Sequence, residues 1–220
     1  MPKPSGSSLP PDHANAPRRY YAPTGGLLPQ SRQPDDKAIF TTAYAVIPKS
    51  VMSDIVTSFL PHWQQTRLWV LARPLSGFAE TFSHYLVETA PTGGSNAPDD
   101  DGSAQSVLFV VAGHLRLTLD GATFDLEAGG YAYMPPGTDW QTENIGDERV
   151  LFHWIRKRYQ AVAGIDAPPA FVTSDAAITP IEMPDCDGVW ATTRFVDPAD
   201  LRHDMHVNIV TFQPGGRIPF

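Results

Sequence analysis

The chain has 220 residues, enough for one large or two small domains, and its 42% hydrophobic and 18% charged content excludes general disorder. A formal charge of −8 argues against nucleic acid or an anionic membrane as the partner. The single cysteine, Cys186, excludes an intrachain disulfide framework and fits a reducing, cytoplasmic setting. No apolar run reaches the roughly 20 residues of a membrane span, and no apolar signal segment opens the chain.

Residues 1–37 are rich in Pro, Ser and Gly, which predicts a flexible arm. Strand-like segments follow at Thr42–Ile47, Arg67–Ala72, Phe82–Thr89, Ser106–Ala112, Leu115–Leu119, Ala122–Leu126, Gly130–Met134 and Val150–Tyr159. Leu115, Leu117 and Leu119 alternate with Arg116 and Thr118, which implies one buried and one wet face. Asp120-Gly121 then reads as a type I′ hairpin turn. The stretch Pro91–Ala104 has no periodicity and is expected as an exposed loop, and the Pro- and Ala-rich residues 161–185 as a linker. Strands return at Val189–Phe195 and Asp204–Phe212, separated by Asp197-Pro198, a candidate start for one helical turn. Short strands between 22 prolines and 17 glycines give an all-β sandwich or barrel.

Gly129 to Asn144 carries the most specific spacing: glycine, five residues, Pro135, one residue, Gly137, two residues, Trp140, three residues, Asn144. This resembles the second motif of the cupin barrel, in which the position of Trp140 is held by a metal-binding histidine. The first cupin motif implies two histidines within Thr92–Ala104 and a glutamate near Gln105 or Ser106. That window contains no histidine. Trp140 is therefore expected to fill the lumen in place of a metal, a degenerate site with no catalytic residue.

Other candidates have simpler readings. Asp99-Asp100-Asp101 could hold a hard cation through carboxylate oxygens, but a solvated loop tip suffices. His84 and His153 fall on strands as core or edge histidines. His203 and His206, three apart, would point to opposite faces of a strand, and His206 is expected to face the lumen or to support a ligand there. Arg156-Lys157-Arg158 is expected as a solvated or interface run. Cys186 lies between Asp185 and Asp187, whose charge disfavours the thiolate.

Several segments are similar to one family, the (S)-ureidoglycine aminohydrolases of purine (allantoin) catabolism: Tyr20–Leu27, Ala43–Pro48, Leu108–Gly113, Glu127–Gly137, Lys157–Tyr159 and Asp204–Ile209. The resemblance implies a bicupin with a metal-free first barrel and a manganese site in the second. It implies hydrolysis of ureidoglycine to ureidoglycolate and ammonia. On this reading residues 38–160 form the metal-free cupin and 186–220 the opening strands of a second, incomplete one. The ligands are then expected beyond Phe220, so that this chain itself binds no Mn²⁺. A cytoplasmic homo-oligomer, acting on a small molecule and on neither nucleic acid nor membrane, completes the expectation. Two alternatives stand beside it: a metal-free cupin serving binding or oligomerisation, and a different bicupin enzyme such as a dioxygenase or isomerase.

Overall fold

A computed structural model describes residues 37–48, 60–73, 81–97, 100–184 and 186–217. The predicted N-terminal arm lies outside these residues except for Lys37.

The architecture is all-β. A two-stranded hairpin, β1 (Ile39–Phe40) and β2 (Ala45–Val46), precedes the barrel. Thr41 makes its turn, its hydroxyl accepting from the Ala43 and Tyr44 amides. Where the sequence predicts one strand over Thr42–Ile47, the chain instead folds back on itself. Among the described residues the hairpin pairs with no barrel strand, and the main sheet begins with β3 (Trp63–Ala72) rather than near Ile39.

The barrel continues through β4 (Phe82–Ser95), β5 (Ala104–Ala112), β6 (Leu115–Leu119), β7 (Ala122–Leu126) and β8 (Gly130–Met134). β9 (Trp140–Asn144), β10 (Val150–Arg158) and β11 (Phe171–Ser174) complete it. The hydrogen-bonded order is β11-β8-β5-β10-β4-β9-β6-β7, with β3 also on β4, and every pair is antiparallel. β4 turns the corner: its body pairs with β3 and β10, and its last two residues pair with β9, joining the two sides of a nearly closed barrel.

The length of β4 corrects the expected loop at Pro91–Ala104, because residues 91–95 are strand. The physical reason is a wide irregularity. β3 pairs through Gln64↔Gly94 and then Thr66↔Thr89, so the β4 residues between bulge outward. Pro91 sits inside this bulge, where no ladder donor is required. Gly94 is dictated by close approach, since a Cβ there would lie 1.9 Å from the Thr142 carbonyl oxygen.

Strand alternation sorts side chains between two cores. Leu108 and Val110 of β5, Met134 of β8, Phe152 and Trp154 of β10, the leucines of β6 and Trp140 of β9 fill the lumen. Val107, Phe109, Val111, Tyr131, Tyr133, Leu86 and Trp69 form a second core on the outer face. Residues on both sides of β5 are therefore buried, and its sequence reads as continuous apolar. At the hairpin, Asp120 has φ 46° and Gly121 φ 81°, the two left-handed residues of a type I′ turn.

The predicted linker is corrected in the same way. β11 lies within it and pairs with β8 through Phe171↔Tyr133, extending the barrel sheet. β12 (Ile181–Glu182) begins a separate three-stranded sheet with β13 (Trp190–Arg194) and β14 (Asn208–Phe212). Phe195, Met205, Val207 and Ile209 from this second unit pack against the outer core of the barrel. The predicted helical turn at Asp197 is an isolated turn: its carboxylate accepts from the Ala199 amide, but no helix propagates.

Candidate functional site

The lumen is the place where a metal would sit, and aromatic rings occupy it. Trp140, 4% exposed, meets Trp63 edge to face at 6.3 Å and Trp154 at 5.9 Å. Trp63 stacks on Phe152 at 6.2 Å, and Tyr85 tilts against Trp154 at 5.4 Å. Ser106, at a position where the first motif calls for glutamate, faces the same space, and its hydroxyl accepts the Trp154 indole N–H at 3.2 Å. The sequence placed that carboxylate position at Gln105 or Ser106, and alternation turns only Ser106 inward. Among the described residues, no group of three or more His, Cys, Asp or Glu is arranged to hold a metal. These residues do not fit manganese: the lumen offers aromatic rings and hydroxyls already in use, not imidazole and carboxylate.

Asn144 closes the motif with a structural task. Its Nδ2 donates to the Thr89 carbonyl at 2.9 Å and to the Glu148 carbonyl at 2.8 Å, while its Oδ1 accepts from the Gly146 amide. The amide thus ties the β9–β10 turn to β4.

A polar cluster lies on the outer face, where the second unit docks. Asp204 accepts from Lys157 Nζ at 2.6 Å, from the Gln160 amide at 2.8 Å and from the Gln105 side-chain amide. Tyr133 donates its hydroxyl to Gln105 Oε1 at 3.0 Å. Burial pushes the Asp204 carboxyl up, but these hydrogen bonds and the Lys157 charge outweigh it and hold the group below its ordinary value. Burial pushes the Tyr131 and Tyr133 phenols up. His203 stands edge-on to Tyr133 at 4.7 Å, with its side chain 6% exposed and its Nδ1 buried without a partner. Burial lowers its pKa, against the opposing pull of Asp200.

The remaining sequence candidates fall as follows. His206 is exposed, its ring 6.5 Å from that of His203, and both precede β14 rather than lying on a strand. The two-face argument therefore does not apply to them. Of the run expected to be solvated or at an interface, Lys157 lies half-buried against Asp204 of the second unit, while Arg158 pairs with Asp101 at 2.9 Å. Asp101 is thereby committed to Arg158 and Ser103, and Asp100 meets His62 at 3.1 Å; Asp99 lies outside the described residues. Cys186 is buried and donates to the Trp190 carbonyl at 3.3 Å.

Sequence reasoning missed one pairing. His84 Nε2 and His153 Nδ1 are 2.9 Å apart on neighbouring strands. Burial, with the like charge of His153, lowers His84 to about 3, and burial lowers His153 to about 4. Both rings are therefore neutral near pH 7, one donating to the other. Nothing local signals this, since the partners are 69 positions apart.

Comparison with known proteins agrees with this geometry. Residues 85–156 match the cupin domain model. The chain is 59% identical to a protein named as glyoxylate-induced from Pseudomonas aeruginosa, superposing with a TM-score of 0.81 over 91% of this chain and 73% of that one. It is 25% identical to protein Ylba of E. coli, with a TM-score of 0.71 over 83% of this chain and 69% of that one. It is 28% identical over 162 residues to the (S)-ureidoglycine aminohydrolase of Escherichia coli (strain K12), covering 73% of this chain and spanning 60% of that relative. A barrel of this topology, with these relatives, belongs to the cupin family that includes the glyoxylate-induced protein of P. aeruginosa and the (S)-ureidoglycine aminohydrolase of E. coli.

Proposed function

We propose that the protein is an (S)-ureidoglycine aminohydrolase and that the barrel described here is its structural, metal-free half. In the reaction, water adds oxygen at the carbon that bears the amine, the C–N bond breaks, and ureidoglycolate and ammonia are the products. The observation that carries the division of labour is the lumen itself, in which Trp140, Trp63, Phe152 and Trp154 fill the space a metal centre would need. The family relation supports the activity, at 28% identity over 60% of the E. coli enzyme. Manganese would act as a Lewis acid held by residues outside those described, and no step is assigned to the barrel.

The barrel's part is to supply a rigid wall. The docked second unit, clamped through Asp204, gives any site built on that unit a fixed platform. Val210 and Phe212 are exposed on β14, an edge strand among the described residues, which supports assembly into a homo-oligomer. A single cysteine favours the cytoplasm, and among the described residues no helix is long and apolar enough to cross a membrane.

A second reading, a binding or assembly module without catalysis, is favoured by the same filled lumen. The test is the product of the complete reading frame, purified with manganese and given (S)-ureidoglycine. Ammonia release that disappears on chelation supports the enzyme. Absence of release with the metal bound leaves the module.

A further inference from the structure

We propose that the cleft outside the aromatic plug binds a small planar carboxylate, an inference independent of the activity proposed above. The cleft arises from the β3–β4 irregularity, where Gln65 adopts φ 50° and Thr92 φ 64° and the register jumps from Gln64↔Gly94 to Thr66↔Thr89. The strands part there and leave about 520 Å³ lined by Leu60, Trp63, Thr66, Arg67, Ala90 and Arg149.

Three features define the ligand. The first is charge. Arg67 directs Nε and Nη2 to Glu88 Oε1, both at 2.7 Å, and Arg149 directs Nη1 to the same oxygen at 3.1 Å. Two guanidiniums on one carboxylate leave one positive charge, in a chain whose net charge is −8. The second is donor count. The Arg67 guanidinium also lies over the Trp69 ring at 5.3 Å, but its Nη1 and Arg149 Nε and Nη2 have no hydrogen-bond acceptor among the described residues, and guanidinium edges fit carboxylate oxygens in pairs. Glu88, its side chain 13% exposed, fixes the Arg67 fork in place. The third is shape. Trp63, whose ring stacks inward on Phe152, also lines the cleft, together with the apolar Leu60 and Ala90. A single charge suits a monoanion rather than a phosphate dianion. The indole suits a planar body; Thr66 also lines the cleft, with its hydroxyl already donating to the Gln64 carbonyl at 2.8 Å.

Benzoate is the probe, with the isosteric neutral benzamide and inorganic sulfate as controls, titrated into the 220-residue chain and followed by tryptophan fluorescence and by NMR of the Trp63 indole N–H. Saturable binding of benzoate at millimolar concentrations or below is expected, with benzamide and sulfate each weaker by about tenfold. Arg149, 56% exposed, is replaceable without loss of fold, and Arg149→Met should weaken benzoate by about tenfold while leaving the unfolding midpoint unchanged. Equal binding of benzoate and benzamide overturns the proposal, as does equal binding of sulfate, an unaltered affinity in Arg149→Met, or failure of benzoate to saturate.

Discussion

The indole N–H of Trp154 donates to the Ser106 hydroxyl across 3.2 Å, inside the barrel and 48 positions away in sequence. This bond places a tryptophan and a serine where a metal cupin keeps its inner carboxylate, and Trp140 packs on the same indole at 5.9 Å. The lumen is therefore a second hydrophobic core. Its role is stability, and its residues should respond to substitution as core residues do.

Trp140→His restores the residue type of the metal motif but should not restore the site. The smaller imidazole loses buried area and leaves space among Trp63, Leu119 and Trp154, at a cost of about 2–4 kcal/mol. Urea unfolding of the variant beside the parent chain measures this; an unchanged midpoint would show that Trp140 is not a core residue.

Gly94→Ala should harm the fold more than its single methyl suggests. The added Cβ would sit 1.9 Å from the Thr142 carbonyl oxygen, at the two-residue contact by which β4 reaches β9. The expected result is loss of cooperative unfolding or a drop of several kcal/mol, seen by circular dichroism during thermal melting. Gly121→Ala, by contrast, meets no atom within 4 Å and should cost only its backbone strain.

Asp204→Asn should loosen the second unit from the barrel. The neutral amide leaves Lys157, its side chain 14% exposed, without its counter-charge, at about 2–4 kcal/mol. Hydrogen exchange should rise in residues 186–217 while β5 and β8 stay protected. Because the folded carboxyl titrates below its ordinary value of 3.8, the stabilisation is complete above about pH 4 and is lost as pH falls through the folded value.

The His84–His153 pair gives a separate acid signature. Both folded values lie below the ordinary 6.5, at about 3 and about 4, so the unfolded chain takes up protons that the folded chain refuses. Stability is complete above pH 6.5 and falls as pH drops towards 4, by up to about 3 kcal/mol between pH 6.5 and 5. Unfolding midpoints at pH 7, 6 and 5 should decline in the parent and flatten in the double variant His84→Leu, His153→Leu; parallel slopes would rule the pair out as the source.

The barrel was legible because local and global signals coincide. The alternation of Leu115, Leu117 and Leu119 gives a strand buried at those three positions, and Asp120-Gly121 turns where only that pairing turns easily. The segment Gly130–Met134 is strand over the residues predicted. What the sequence concealed depends on long-range partners. Residues 91–95 continue a strand because the bulge tolerates Pro91 and because β9 waits across the barrel for Gly94. Phe171–Ser174 carries β-forming residues, but Pro168 and Pro169 before it gave the stretch the look of a linker; pairing with β8 decided the outcome. The cluster of Gln105, Tyr133, Lys157 and Asp204 joins residues up to 99 positions apart, and no spacing rule reaches so far.

This barrel carries aromatic rings in the space of a metal centre. Elemental analysis of the purified 220-residue chain, after incubation with excess Mn²⁺ and desalting, tests it most directly. Far less than one manganese, iron or zinc per chain is expected, with no loss of stability on chelation. One equivalent of tightly bound metal that is released by Trp140→Ala would contradict it.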